Sequence, residues 1–240
     1  MGVAGAVCTI AVVDLEAACA LYGRDALPQP LGRSRPVGSF WLLSRAPVQD
    51  RLGEGDLREV RSWIEDLVRA DATVQCRVSF SDAGTADIRI HALRVGGSGF
   101  FAVQRRDGDG VDVVDIRRVA PYALGSVIAE SAGLIGAGGR TRVVVTGEAH
   151  GLPVAPESVA EYDDFGFLIP SAEPRDAALS VVDGRDVAAV GTVLTSDDHV
   201  LQWIQITEDG DYLYAPGAVG YAEPLDVDFL RACLEEFIGG

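Results

Sequence analysis

The chain reads as an α+β protein built on antiparallel strands, and three observations lead there. Strict apolar–polar alternation, as in Val74, Cys76, Val78 and Phe80 against Thr73, Gln75, Arg77 and Ser79, marks half-buried strands. Consecutive strand-like runs are separated by short turns, and strands joined that way must be antiparallel. Third, Gln104-Arg105-Arg106-Asp107-Gly108-Asp109 and Ile206-Thr207-Glu208-Asp209-Gly210-Asp211 carry one signature at an offset of 102 residues. Each ends a strand-like run on Asp-Gly-Asp, enters another, and has an amphipathic helix downstream. That repetition predicts two similar sheet-plus-helix units, residues 73–137 and 178–238, with the Asp-Gly-Asp turns at equivalent places.

The elements follow in order. Val3 to Val13 is largely apolar, but it lacks a basic flank and runs at once into Asp14 and Glu16, so a signal peptide is not expected. Leu15, Ala18, Cys19 and Tyr22 keep helical spacing, with Asp14 as the expected cap. Pro28, Pro30, Pro36 and Pro47 make residues 27–56 irregular. Leu57, Val60, Ile64, Leu67 and Val68 form one apolar helix face running to Ala70, opened by the capping-box-like pair Asp56 and Glu59. Strands are expected to Phe80, over Ile88 to Val95, over Phe100 to Arg105 after Gly96-Gly97-Ser98-Gly99, and over Val111 to Arg117. Pro121 suits the first turn of a helix with apolar positions Leu124, Val127, Ile128 and Ile135, and 141–146 reads as a strand.

Residues 147–176, with Pro153, Pro156, Pro170 and Pro174 and the acids Glu161, Asp163 and Asp164, are expected to be a linker or insertion. Beyond it, Leu179 to Asp183, Val187 to Thr195, Val200 to Thr207 and Tyr212 to Ala215 repeat the strand pattern. A final helix capped by Asp226 carries Phe229, Leu230, Cys233, Leu234, Phe237 and Ile238. The expected division is an N-terminal half, 1–146, the linker, 147–176, and a C-terminal half, 177–240, together one compact domain.

Charge narrows the partners. The chain of 240 residues carries a formal net charge of −16, and all 20 basic residues are Arg, as in a GC-rich genome such as an actinobacterial one. Residues 1–120 hold 16 acids and 15 Arg; residues 121–240 hold 20 acids and 5 Arg. Such an acidic half repels nucleic-acid and anionic lipid surfaces, so neither is an expected partner. No apolar run reaches membrane-spanning length, and a cytoplasmic location is expected. Cys8, Cys19, Cys76 and Cys233 form no C-x-x-C pair, which argues against zinc and a disulfide framework.

Local catalytic motifs are absent from the sequence. The Asp-Gly-Asp turns lack the extended ligand set of a calcium loop and are read as hairpin turns. Gly133, Gly136, Gly138 and Gly139 follow a helix and precede a strand, the reverse of the order in nucleotide-binding loops. None of His91, His150 and His199 lies in H-E-x-x-H, and no Ser lies in G-x-S-x-G. No catalytic residue, metal or cofactor is therefore expected.

Several segments resemble the EspG family, the cytosolic chaperones of type VII secretion in actinobacteria. Asp14 to Leu31 is similar to the family's opening helix and Leu-Pro segment. Gly53 to Val78 resembles its helix and first strand, His91 to Val119 its arginine-rich strand, turn and apolar strand, and Ala178 to Asp183 the strand opening its second half. The resemblance implies an EspG-like quasi-twofold arrangement of two antiparallel sheet-plus-helix units. It also implies non-catalytic binding of PE/PPE protein pairs at the apolar tip of the PPE helical bundle. Such a holdase needs a partly apolar patch for its client. On the strand from His199, parity sets Val200, Ile204 and Ile206, with Gln202, on the better core face. His199, Leu201, Trp203, Gln205 and Thr207 lie on the other. A mixed face centred on a Trp has the composition of an interface, so Leu201, Trp203 and Gln205 are the expected partner contacts. The alternative is that Trp203 packs under the linker or a helix. Rival functions are an adaptor or immunity protein with another partner, and a hydrolase or metal-dependent enzyme of unrecognised type.

Overall fold

Strands that alternate at period two expose one row of side chains to each face of a sheet, and here layers pack on both faces. The computed structural model describes residues 8–34, 47–53, 55–146, 179–214 and 221–239, so the expected linker lies outside the described residues. The strands are β1 (Cys8–Ala11), β2 (Ala72–Phe80), β3 (Ile88–Val95), β4 (Ser98–Arg106), β5 (Asp112–Val119), β6 (Arg142–Thr146), β7 (Leu179–Asp183), β8 (Val187–Thr195), β9 (Val200–Ile206), β10 (Gly210–Tyr214) and β11 (Ala222–Pro224). They form one sheet in the order β1-β5-β4-β3-β2-β8-β9-β10-β11-β6-β7. Every neighbouring pair is antiparallel except β6–β7, whose ends are separated by a connection long enough for a parallel crossover. The class is α+β, dominated by a large antiparallel sheet.

Helices α1 (Val12–Leu21), α2 (Val48–Gly53) and α3 (Arg58–Asp66) cover one face of the first-half strands. Leu15, Cys19, Leu52, Val60 and Trp63 there meet Leu93, Phe100, Ala102, Val114 and Ile116 of the sheet. Helices α4 (Leu124–Ser131) and α5 (Val227–Gly239) pack together on the opposite face. Their Leu124, Ile128, Leu230, Leu234 and Ile238 bury Val74, Cys76, Ile90, Phe101, Val193, Leu201 and Trp203. Gly125 makes the α4–α5 approach possible, since a Cβ there would sit 2.8 Å from Glu235 Cγ. A third cluster, including Val143, Val187, Ile204, Ile206 and Tyr212, lies among β6–β11.

Several local expectations need correction. α1 begins after Ala11, so Asp14 lies inside its first turn and binds Arg51 instead of capping (2.8 Å). α3 starts after Leu57 without a side-chain cap. Asp56 is engaged by Arg51, and Glu59 by Arg118, across to β5. The helix from Pro121 is a 3-10 turn, Pro121–Ala123, followed by α4, and it ends at Ser131. Gly133 then takes φ +72°, which only glycine adopts freely, and Ile135 is left 62% exposed. Asp226 does cap α5, accepting from the Phe229 N–H at 2.7 Å, but Phe229 is 54% exposed and the buried stripe is Leu230, Leu234 and Ile238. β1, β11 and α2 were not expected. Each is three to six residues long, too short to display a period.

The Asp-Gly-Asp turns do not occupy equivalent hairpins. The first joins β4 to β5, the third hairpin counted from β2; the second joins β9 to β10, the second hairpin counted from β8.

Candidate functional site

The expected contact face of β9 is covered. Leu201 and Trp203 are 2% and 1% exposed, and both lie in the cluster beneath α4 and α5. The indole occupies space that Gly191 leaves on the neighbouring strand, where a Cβ would lie 2.0 Å from Trp203 Cε2. Gln205 is half-buried and donates to Asp211 Oδ1 at 3.2 Å. Leu201 and Trp203 are therefore internal and Gln205 is half-covered, because the helix pair packs on the very parity that looked like an interface.

The accessible row of β9 has the other parity. Val200 is 53% exposed and Gln202 half-buried, whereas Ile204 and Ile206 further along are buried in the third cluster. Neighbouring strands continue that row. Thr192 pairs with Gln202 and with Arg77, Leu194 with Val200 and with Gln75, and Val190 with Ser79. Thr73, Gln75, Arg77, Ser79, Thr192 and Gln202 all retain solvent exposure, while Val74, Cys76, Val78 and Val193 on the reverse face are buried. The middle of this second face thus forms a strip between the α1–α3 layer and the third cluster.

One end of the strip opens into a groove of about 620 Å³, lined by Arg77, Ser79, Phe80, Arg185, Val190 and Thr192 among others. Arg77 is anchored by Asp87 at 2.7 Å, and the Ser81 hydroxyl donates to the Ala188 carbonyl at 3.0 Å. Amides, hydroxyls and a fixed guanidinium beside Leu194 and Val200 suit a protein surface of mixed polarity. The polar parity of β2 was legible in its alternation; that β8 and β9 extend it required the strand order.

The two glycine- and aspartate-rich motifs meet each other. Ile135 and Gly136 donate their N–H groups to Asp211 Oδ2 at 2.6 and 2.9 Å, and Gly139 donates to Asp209 Oδ1 at 2.8 Å. Tyr212 donates its hydroxyl to Asp209 Oδ2 (2.8 Å) and accepts from the Arg140 N–H (2.9 Å). Gly138 must be glycine for this ring, since a Cβ would lie 1.9 Å from Tyr212 Cζ. Burial pushes the Asp211 carboxyl pKa up against its three hydrogen bonds, and the net direction is upward. Burial also raises Asp209, but the Gly139 N–H, the Tyr212 hydroxyl and Arg140 outweigh it and hold it below the usual range. The second Asp-Gly-Asp turn therefore clamps the loop after α4. In the first, Asp107 Oδ1 accepts from the N–H groups of Asp109 and Val111 (3.0 and 2.8 Å), a self-contained turn.

No group of three or more His, Cys, Asp or Glu among the described residues is placed to hold a metal ion. No helix among them is long and apolar enough to cross a membrane. The chain matches no family model and no curated protein.

Proposed function

We propose that the chain is a cytosolic, non-catalytic chaperone of the EspG kind, which holds a helical PE/PPE-type client of a type VII secretion system until export. One observation carries this reading beyond the sequence resemblance. On either side of the β2–β8 pair stand four strands consecutive in the chain, β2-β3-β4-β5 and β8-β9-β10-β11. Each set is followed by a helix, and the two helices pack together. That order supports a quasi-twofold arrangement of two antiparallel sheet-plus-helix units. The strip at their junction is the candidate dock, replacing the face of Leu201, Trp203 and Gln205.

Co-expression with a PE/PPE pair from the same genome tests the reading. A stoichiometric complex that survives size-exclusion chromatography is expected. Absence of any complex with every such pair encoded there overturns it.

A further inference from the structure

The α1–α3 layer contains a buried polar pair that the proposed role leaves unused. His91 of β3 is 3% exposed, and its ring meets that of Trp63 on α3 edge to face, with centroids 5.8 Å apart. His91 Nδ1 and Trp63 Nε1 are both buried without a hydrogen-bond partner. A neutral imidazole tolerates this site, but an imidazolium would place a charge against Trp63, itself a member of the apolar cluster under α1–α3, with the Nδ1–H unmet. Burial, and then the like charge of Arg24, push the His91 pKa down to about 4.

Ion pairs stand around the rim of this layer, Arg51 with Asp14 (2.8 Å), Arg118 with Glu59 (2.9 Å), and Arg33 with Glu16, and Arg24 is the charge that acts on His91. Arg51 also binds Asp56 (3.0 Å). Burial raises the thiol pKa values of Cys8 and Cys19, the latter to about 11, so both thiols stay neutral in acid. The core under α1–α3 and the core under α4–α5 lie on opposite faces of the sheet and share no side chain.

We propose that the α1–α3 layer is an acid-releasable cover. Protonation of His91 expels its ring from the cluster and detaches α1–α3 from β3, β4 and β5, while α4 and α5 stay docked on the reverse face. Release uncovers Leu93, Phe100, Ala102 and Ile116.

Trp63 and Trp203 report separately on the two layers. Full-length protein with Trp41→Phe and Trp203→Phe retains Trp63 alone; Trp41→Phe with Trp63→Phe retains Trp203 alone. On titration from about pH 7 to about pH 4, the Trp63 emission maximum is expected to move to longer wavelength. Its midpoint should fall between the free-imidazole value and the buried one, with Trp203 emission unchanged. Adding His91→Phe to the Trp63 reporter should abolish the transition over that range. Simultaneous movement of both reporters, movement of neither, or an unaltered midpoint with His91→Phe overturns the proposal.

If the variants do not fold, the wild-type chain decides by NMR. Amide-exchange protection of α1–α3 should disappear with the midpoint of the His91 ring-proton titration while α4 and α5 stay protected. Loss in both layers together, or in neither, rejects it.

Discussion

Trp203 and Gly191 form a cross-strand pair in which the absent side chain of one makes room for the ring of the other. Trp203→Ala would leave a cavity under α4 and α5 and is expected to cost about 3–5 kcal/mol of unfolding free energy. Gly191→Ala should cost about 1–3 kcal/mol by overpacking. Denaturant unfolding checks both, and a Trp203→Ala variant as stable as the wild type would mean that the helix pair does not cover β9. Strand parity separated the two rows of β9 correctly, Leu201 and Trp203 on one face and Val200 and Ile204 on the other. It could not say which row is covered, because that depends on where α4 and α5 dock.

At the scale of elements, the loop from Gly133 to Arg140 is held by a buried carboxylate. Both backbone donors reach Asp211 Oδ2, and the Gln205 amide donates to Oδ1, so an asparagine with its oxygen toward the loop keeps the backbone bonds and removes the buried charge once the Gln205 amide turns its oxygen to accept from the new NH2. Asp211→Asn is therefore expected to be neutral or stabilising near pH 7. Asp211→Ala strands two N–H groups and should cost about 1–3 kcal/mol. Thermal or denaturant melts of the pair distinguish the readings, and equal destabilisation by both would show that the charge itself holds the loop. Elements with a full period, such as β2, β8 and α5, were legible in sequence. The ends of α3 and α4 were not: Leu67, Val68 and Ile135 keep helical spacing, but Val68 and Ile135 are exposed beyond the helices.

For the whole molecule, acid should be destabilising well above the pH at which carboxylates titrate. His91 takes up its proton near pH 6.5 when unfolded but only near pH 4 when folded, so the unfolded chain binds more protons between those values. Stability is thus fully present above the unfolded value and falls as pH drops through the window, by on the order of 2 kcal/mol at about pH 5. Asp211 acts in the opposite direction, because its raised pKa adds stability as acid is added. The depressed carboxyls of Asp82 and Asp209 lose their contributions only below the ordinary aspartate range. Chemical denaturation at a series of pH values checks the sign, and the dependence should flatten in His91→Phe. A rise in stability between about pH 6.5 and pH 5 would contradict the burial of a neutral imidazole.

The sequence by itself determined the α+β class, the antiparallel meanders, most strand limits and the Asp226 cap. Each is written in neighbours a few residues apart, through period, turn chemistry or a local hydrogen bond. Tertiary structure alone decided that β2 and β8 meet at the centre of one sheet and that the helix pair takes the Trp203 face. It also decided that the second Asp-Gly-Asp turn clamps the glycine-rich loop, and that β2, β8 and β9 leave a strip open. Several of these contacts join residues about 70 to 120 positions apart, as in Ile135 with Asp211 and Arg77 with Thr192. Hydrophobic burial gives a strand two candidate faces without naming the layer that covers either, because burial is non-directional and scales with area.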